Sequence, residues 1–253
     1  MLKYVVANWK MNPQTEAKAV GLVVSIKEGL IGFDFNKVSV GICPSFIHLK
    51  AVKEVLGDSA ILLGAQNFYF EPQGAFTGEI SVEQIKEYAK IAIVGHSERR
   101  HIMGETDELV NKKLQAIAGI EIIPILCIGE KLEIREAEGH ISFVLGQLEK
   151  ALAGVDASIS GKLIIAYEPV WAIGTGVNAT AEQAKEMADA IRGKLAEIFP
   201  GKEISVLYGG SVNGDNVEDL VANSGCDGFL VGGASLKPDH FIKICKSISN
   251  LSN

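Results

Sequence analysis

Eight short runs of β-branched and other apolar residues recur along the chain, most of them followed by a longer stretch of helical character. This repeat restricts the fold more than any other feature of the sequence. The runs are Lys3–Ala7, Val38–Cys43, Ile61–Ala65, Ile91–Gly95, Glu121–Cys127, Leu163–Tyr167, Ile204–Tyr208 and Gly228–Val231. Each is nearly continuous in apolar residues, the pattern of a strand covered on both faces, whereas a half-solvated strand alternates. Between them Thr15–Leu30, Asp107–Ala118, Ile141–Leu152, Ala181–Ile198 and Asn216–Ala222 carry amphipathic helical periodicity. Pro44-Ser45, Thr106-Asp107 and Thr180 with Gln183 mark helix starts, and Gly57, Gly119 and Gly201 mark helix stops. Parallel strands joined by helices cross over right-handed, and eight such units close into a barrel. No Pro/Gly/Ser-rich linker divides the 253 residues, so residues 1–253 are read as one α/β domain, a single (β/α)8 barrel.

Composition narrows the partners. The formal net charge is −7, which argues against a nucleic-acid binder or an anionic-membrane binder, since both need a basic surface. An anionic substrate must then be drawn in by local charge and oriented amides and not by the global field. The longest apolar stretch, Ala118–Gly129, is interrupted by Glu121 and Pro124 and falls short of the roughly 18 residues a membrane span needs. The opening MLKYVVANWK lacks the apolar length and small-residue cleavage site of a leader. Cys43, Cys127, Cys226 and Cys245 form no CxxC or regular framework, which predicts free thiols and a reducing, cytoplasmic setting.

In a barrel of this type chemistry sits where strands end and βα loops begin. The strand ends read Asn8-Trp9-Lys10-Met11-Asn12, Cys43-Pro44-Ser45, Gln66-Asn67, Gly95-His96-Ser97-Glu98-Arg99-Arg100 and Cys127-Ile128-Gly129-Glu130. The last three are Glu168 through Gly176, Gly209-Gly210-Ser211-Val212 and Gly232-Gly233-Ala234-Ser235. Paired glycines let backbone N–H groups approach an anion closely. A single pair would read as a tight turn, but two pairs at adjacent strand ends favour a phosphate. Glu168 closes an apolar strand before a proline, where partial desolvation favours proton uptake, as a general base needs. A loop-capping carboxylate is the bland alternative. His96 opens a helical turn, and a helix N-terminus disfavours imidazolium, which leaves a neutral hydrogen-bond donor. Taken alone it would more often be a histidine satisfied by backbone, as His48, His101, His140 and His240 are read. Lys10 could meet an anionic substrate, although most lysines are simply solvated.

Gly174-Thr175-Gly176-Val177-Asn178-Ala179 fits the loose GxGxxA dinucleotide pattern. It stands six residues past its strand and no ribose-binding acid follows, so it reads better as the tip of a lid. No metal-ligand spacing is present, and no metal or cofactor is expected.

Together Asn8–Asn12, Val94–Arg100, Ala166–Gly176, Tyr208–Val212 and Gly228–Leu236 closely resemble the triosephosphate isomerase family, in order and along the whole chain. The resemblance implies a TIM barrel that interconverts dihydroxyacetone phosphate and D-glyceraldehyde 3-phosphate through an enediolate, without cofactor, in glycolysis and gluconeogenesis. It implies Glu168 as the base, His96 as the donor to the enediolate oxygens and Lys10 as the balancing charge. Asn8 would bind an oxygen, and Glu98 would support these groups from behind. Gly174, Ser211 and Gly233, with Gly232 alongside, would offer N–H groups to the phosphate. Pro169, Val170, Trp171, Ala172, Ile173, Gly174, Thr175 and Gly176 would form the lid. The family is homodimeric or larger, and the loop from Gln66 to Glu79 would carry Thr77 toward a neighbouring subunit's site. The family varies at Val177-Asn178, a hinge position.

Two other readings compete. A barrel aldolase would use Lys10 as a Schiff base, which borohydride trapping would detect. A non-catalytic barrel would have lost Glu168, His96 or Lys10, and all three are present.

Overall fold

A computed structural model describes residues 2–173 and 178–251. Eight parallel strands close into a barrel in chain order. They are β1 (Lys3–Asn8), β2 (Val38–Cys43), β3 (Leu62–Ala65), β4 (Ile91–Val94), β5 (Ile123–Ile128), β6 (Ile164–Tyr167), β7 (Ser205–Tyr208) and β8 (Gly228–Val231). The helices are α1 (Glu16–Gly29), α2 (Leu49–Leu56), α3 (Val82–Ile85), α4 (Ser97–His101), α5 (Asp107–Ile117), α6 (Leu132–Glu136), α7 (His140–Leu152), α8 (Ala181–Ile198), α9 (Val217–Asn223) and α10 (Pro238–Leu251).

The near-continuous apolar runs follow from two buried layers. Along β1, Val6 packs inside the barrel with Ile93, Ile125, Ala166, Leu207 and Leu230, while Val5 and Ala7 pack between barrel and helices. Both faces of each strand therefore exclude water. The seam closes where Tyr4 pairs with Gly228 and Ala7 with Val231. Gly228 has φ 146°, and a Cβ there would lie 1.8 Å from the Tyr4 carbonyl oxygen, so only glycine lets the first and last strands meet.

Local signals act largely as the sequence suggests. Thr106 accepts the Leu109 N–H, and Thr180 with Gln183 forms a reciprocal capping box at the start of α8. Two readings need correction. Ser45 makes no side-chain cap: its hydroxyl donates to the Lys10 carbonyl at 3.2 Å, and a 3-10 turn, Phe46–His48, leads into α2. The fifth strand starts at Ile123, not Glu121, because the Ile122 N–H turns back to the Ile120 carbonyl at 2.7 Å before pairing begins. Among the described residues no helix is long and apolar enough to cross a membrane.

Candidate active site

A cleft of about 560 Å³ opens at the C-terminal ends of the strands, lined by Asn8, Lys10, His96, Glu168, Ser211 and Gly233 among others. The ends of β1, β4 and β6 and the turns after β7 and β8 thus bring together residues separated by up to most of the chain.

Lys10 follows β1 in the left-handed region, with φ 55°. A non-glycine residue held there costs about 1–3 kcal/mol, which surrounding bonds must offset. Its carbonyl accepts from Gln66 Nε2 at 2.8 Å and from the Ser45 hydroxyl, and its N–H reaches Asn8 Oδ1 at 3.1 Å. The twist aims Nζ into the cleft, 2.6 Å from Glu98 Oε1. With Asn8 Oδ1 engaged, the Asn8 amide nitrogen has no protein acceptor among the described residues and remains for a ligand. Gln66 was visible at the end of the third strand, but nothing in the sequence tied it to the Lys10 backbone.

His96 caps the N-terminus of α4. Its Nδ1 accepts the Glu98 N–H at 3.2 Å, so a neutral ring carries its proton on Nε2. Nε2 stands 3.1 Å from Glu168 Oε1. Glu168 is 1% exposed, and its Oε2 accepts the Ser97 N–H at 2.8 Å. Its Oε1 is buried without an aligned hydrogen bond despite the nearby imidazole, an acceptor left open at the cleft. The β6 end that carries Glu168 presses on the β5 end: a Cβ at Gly129 would sit 1.7 Å from the Glu168 carbonyl oxygen.

After β7 and β8 the chain supplies amides. Among the described residues no protein acceptor takes the N–H of Ser211, Gly232 or Gly233, and all three line the cleft. Such a nest suits a phosphate. Of the expected lid, Pro169–Ile173 is described, with Val170–Ala172 forming a 3-10 turn. Trp171 Nε1 donates to the fully buried Glu130 at 2.9 Å, and the Ser211 hydroxyl donates to the Ala172 carbonyl at 2.6 Å. Glu130 also takes the Tyr167 hydroxyl, a role the sequence did not signal. Gly174, Thr175 and Gly176, with the expected phosphate contact of Gly174 and the Val177 half of the hinge, lie outside the described residues.

All four cysteines are buried and free, and burial pushes each thiol up, away from a reactive thiolate. Among the described residues no three His, Cys, Asp or Glu side chains are grouped to hold a metal ion. Thr77 is exposed on the loop after β3. A second cavity of about 290 Å³ lies beside Lys10 and Glu98, bounded by Met11, Phe46, Arg99 and Met103.

Comparison with known proteins places the whole chain in one family. The family model described as triosephosphate isomerase matches residues 3–248. The triosephosphate isomerase of Carboxydothermus hydrogenoformans is 46% identical over 248 residues, covering 96% of this chain and 97% of its own. That of Dictyoglomus turgidum is 43% identical, covering 97% and 99%, and that of Dehalococcoides mccartyi is 43% identical, covering 98% and 97%.

Proposed function

The chain belongs to the triosephosphate isomerase family, and from this premise we infer that it interconverts dihydroxyacetone phosphate and D-glyceraldehyde 3-phosphate. The observation that carries the reading is the open Glu168 Oε1 beside the His96 Nε2 proton, in a cleft that also holds Lys10 and three unclaimed amides.

Each group then has a task. The Glu168 carboxylate takes a proton from the hydroxymethyl carbon of the ketose. The electrons of that C–H bond form the carbon–carbon double bond, and the carbonyl oxygen gains the negative charge. His96 Nε2–H donates to that oxygen, and the Lys10 ammonium offsets the charge of phosphate and enediolate. His96 gives its Nε2 proton to that oxygen and takes up the hydroxyl proton of the neighbouring oxygen. Return of the proton from Glu168 to the former carbonyl carbon, as the other oxygen becomes the new carbonyl, yields the aldose. Asn8 binds a substrate oxygen, Glu98 fixes the Lys10 ammonium, and the Ser211, Gly232 and Gly233 amides hold the phosphate. The segment Pro169–Gly176 covers the bound substrate and keeps water from the enediolate.

The working unit is a homodimer. Met11 is 91% exposed beside the smaller cavity, and Ile47, Phe76, Ile102 and Met103 are also exposed. In that dimer a neighbouring copy's loop carrying Thr77 would enter this cavity, lined by Lys10 and Glu98, and wall them off from water. Free thiols and a net charge of −7 fit a cytoplasmic protein with no nucleic-acid or membrane partner.

The test is a coupled isomerase assay on purified protein, repeated after EDTA treatment, with sizing by light scattering. Conversion of dihydroxyacetone phosphate at rates unaffected by EDTA is expected from a dimer. Absence of conversion, or borohydride trapping of substrate on Lys10, would reject the isomerase reading.

A further inference from the structure

Ser211 carries three polar groups, and the structure commits two of them to protein. Its hydroxyl donates to the Ala172 carbonyl, and its own carbonyl accepts Asn216 Nδ2 at 3.0 Å. Only its N–H remains. The Asn216 carboxamide does more than fill that carbonyl, because its Oδ1 also accepts the Asn213 N–H at 2.9 Å. Asn213 answers with its own side chain, whose Oδ1 accepts the N–H groups of Asp215 at 2.8 Å and Asn216 at 3.3 Å. Asn216 sits directly before α9, where an asparagine side chain normally caps the helix, yet it makes no cap bond. The usual local bond has been given up for two bonds that reach back across the turn after β7.

We propose that Asn216 is a positioning residue for the phosphate end of the site. It clamps the turn from Ser211 to Asn216 so that the Ser211 N–H stays free and correctly placed beside the amides of Gly232 and Gly233. The physical reason is directional. The Ser211 N–H and carbonyl lie on two rigid planes joined at one Cα. With the side chain on that Cα held by the Ala172 carbonyl and the carbonyl held by Asn216, the torsions between the planes lose their freedom and the N–H points where they set it. A phosphate held by amides needs them already converged, since ordering the turn during binding would cost affinity. The clamp acts only on the phosphate end: Asn216 is not among the residues lining the cleft, and Glu168, His96 and Lys10 stand on other strand ends.

This inference rests on the reading that phosphate binds at Ser211 and Gly233, so its test must separate the two. Asn216→Ala is compared with wild type in three assays: isomerisation of triose phosphate, competitive inhibition by inorganic phosphate, and isomerisation of glyceraldehyde, which carries no phosphate. The expected result is a rise of about fivefold to tenfold in KM and in the phosphate inhibition constant, the size of one or two lost hydrogen bonds. Glyceraldehyde turnover stays at the wild-type level. Asn216→Thr removes the carboxamide that bonds the Ser211 carbonyl and the Asn213 N–H but keeps a good cap residue at the start of α9. It should show the same phosphate-specific loss, and it decides the question if the alanine variant does not fold. Equal losses with and without phosphate on the substrate would mean a general structural role and overturn the proposal, as would unchanged phosphate binding. Gly233→Pro removes a phosphate-facing N–H independently. If it leaves phosphate inhibition unchanged, the phosphate reading fails. If it weakens inhibition while the Asn216 variants do not, only the clamp is wrong.

Discussion

His96 Nε2 lies 3.1 Å from Glu168 Oε1, and the other ring nitrogen of His96 is occupied by the Glu98 N–H. The two side chains therefore stand side by side on the wall of the cleft, so that a substrate carbon in reach of the carboxylate has its oxygen in reach of the ring proton. Position then matters as much as identity. Glu168→Asp withdraws the carboxylate by roughly 1 Å, and such a displacement costs about 100-fold in turnover. Steady-state kinetics alongside a melting curve would show a folded enzyme with depressed kcat. A kcat equal to wild type would remove Glu168 from the role of base.

Lys10→Met replaces the ammonium by a stem of similar length, so packing is kept and charge is lost. Substrate and enediolate are both anionic, so KM should rise and kcat should fall together, by about 100-fold or more in kcat/KM. Glu98, left behind by its partner, is 41% exposed at its side chain and can turn to water, so the melting temperature should change little. Unaltered kinetics would dismiss Lys10 from the site.

Gly129→Ala places a methyl group against the Glu168 backbone, on the Glu168 carbonyl rather than on a flexible side chain. The ends of β5 and β6 must part, at a cost of about 1–3 kcal/mol in stability, and Glu168 moves with them. A lower denaturation midpoint and a tenfold or greater loss of kcat are expected, about the scale of small misplacements. Wild-type values for both would show that the two strand ends slide freely.

Thr77→Glu leaves an isolated subunit untouched, because Thr77 is exposed on its loop. Within the proposed dimer it buries a carboxylate without a partner, at a cost of several kcal/mol in order of magnitude. Light scattering should report dissociation at concentrations where wild type is dimeric, and activity should fall with the dimer fraction. A fully active monomer would contradict the shared wall beside Lys10.

Asp227 joins β8 to its surroundings. Burial works against its charge, but the Val206 N–H at 3.0 Å, Arg192 at 2.8 Å and Lys3 at 3.2 Å outweigh it and hold the carboxyl below the ordinary range. A carboxyl depressed in the folded state contributes stability that is fully present above about pH 4 and is lost as pH falls through the folded value. Asp227→Asn should therefore lower stability by about 1–2 kcal/mol at pH 7 in urea titrations. The gap to wild type should narrow as the pH drops below about 4. A constant gap at all pH values would mean that the Asp227 charge plays no part.

Legibility varied with the kind of interaction. Strands such as Val38–Cys43 and Gly228–Val231 were readable to the residue, because burial on both faces demands unbroken apolar runs. Site residues that end strands, Asn8, His96 and Glu168, stood out as polar groups interrupting those runs. What escaped was support between distant strand ends. Gln66 bonded to the Lys10 carbonyl, Ser97 donating to Glu168, and Glu130 gathering Tyr167 and Trp171 all join residues far apart in sequence. No periodicity or cap pattern encodes such contacts. Ser45 shows the same limit from the other side: its local signal said helix cap, and a backbone carbonyl 35 residues away took the hydroxyl instead.

The pairing of Tyr4 with Gly228 also governs how a cell must make this protein. Lys10 leaves the ribosome long before Gly233, so the nascent chain carries most of its reactive groups before it has a pocket. Until residues 228–231 emerge, β1 keeps one hydrogen-bonding edge open, and the last strand to have formed keeps another. Open edges recruit other chains as readily as the missing strand. A premature stop before Gly228 thus yields a sticky fragment and not a slower enzyme, because one edge of β1 then never finds its partner.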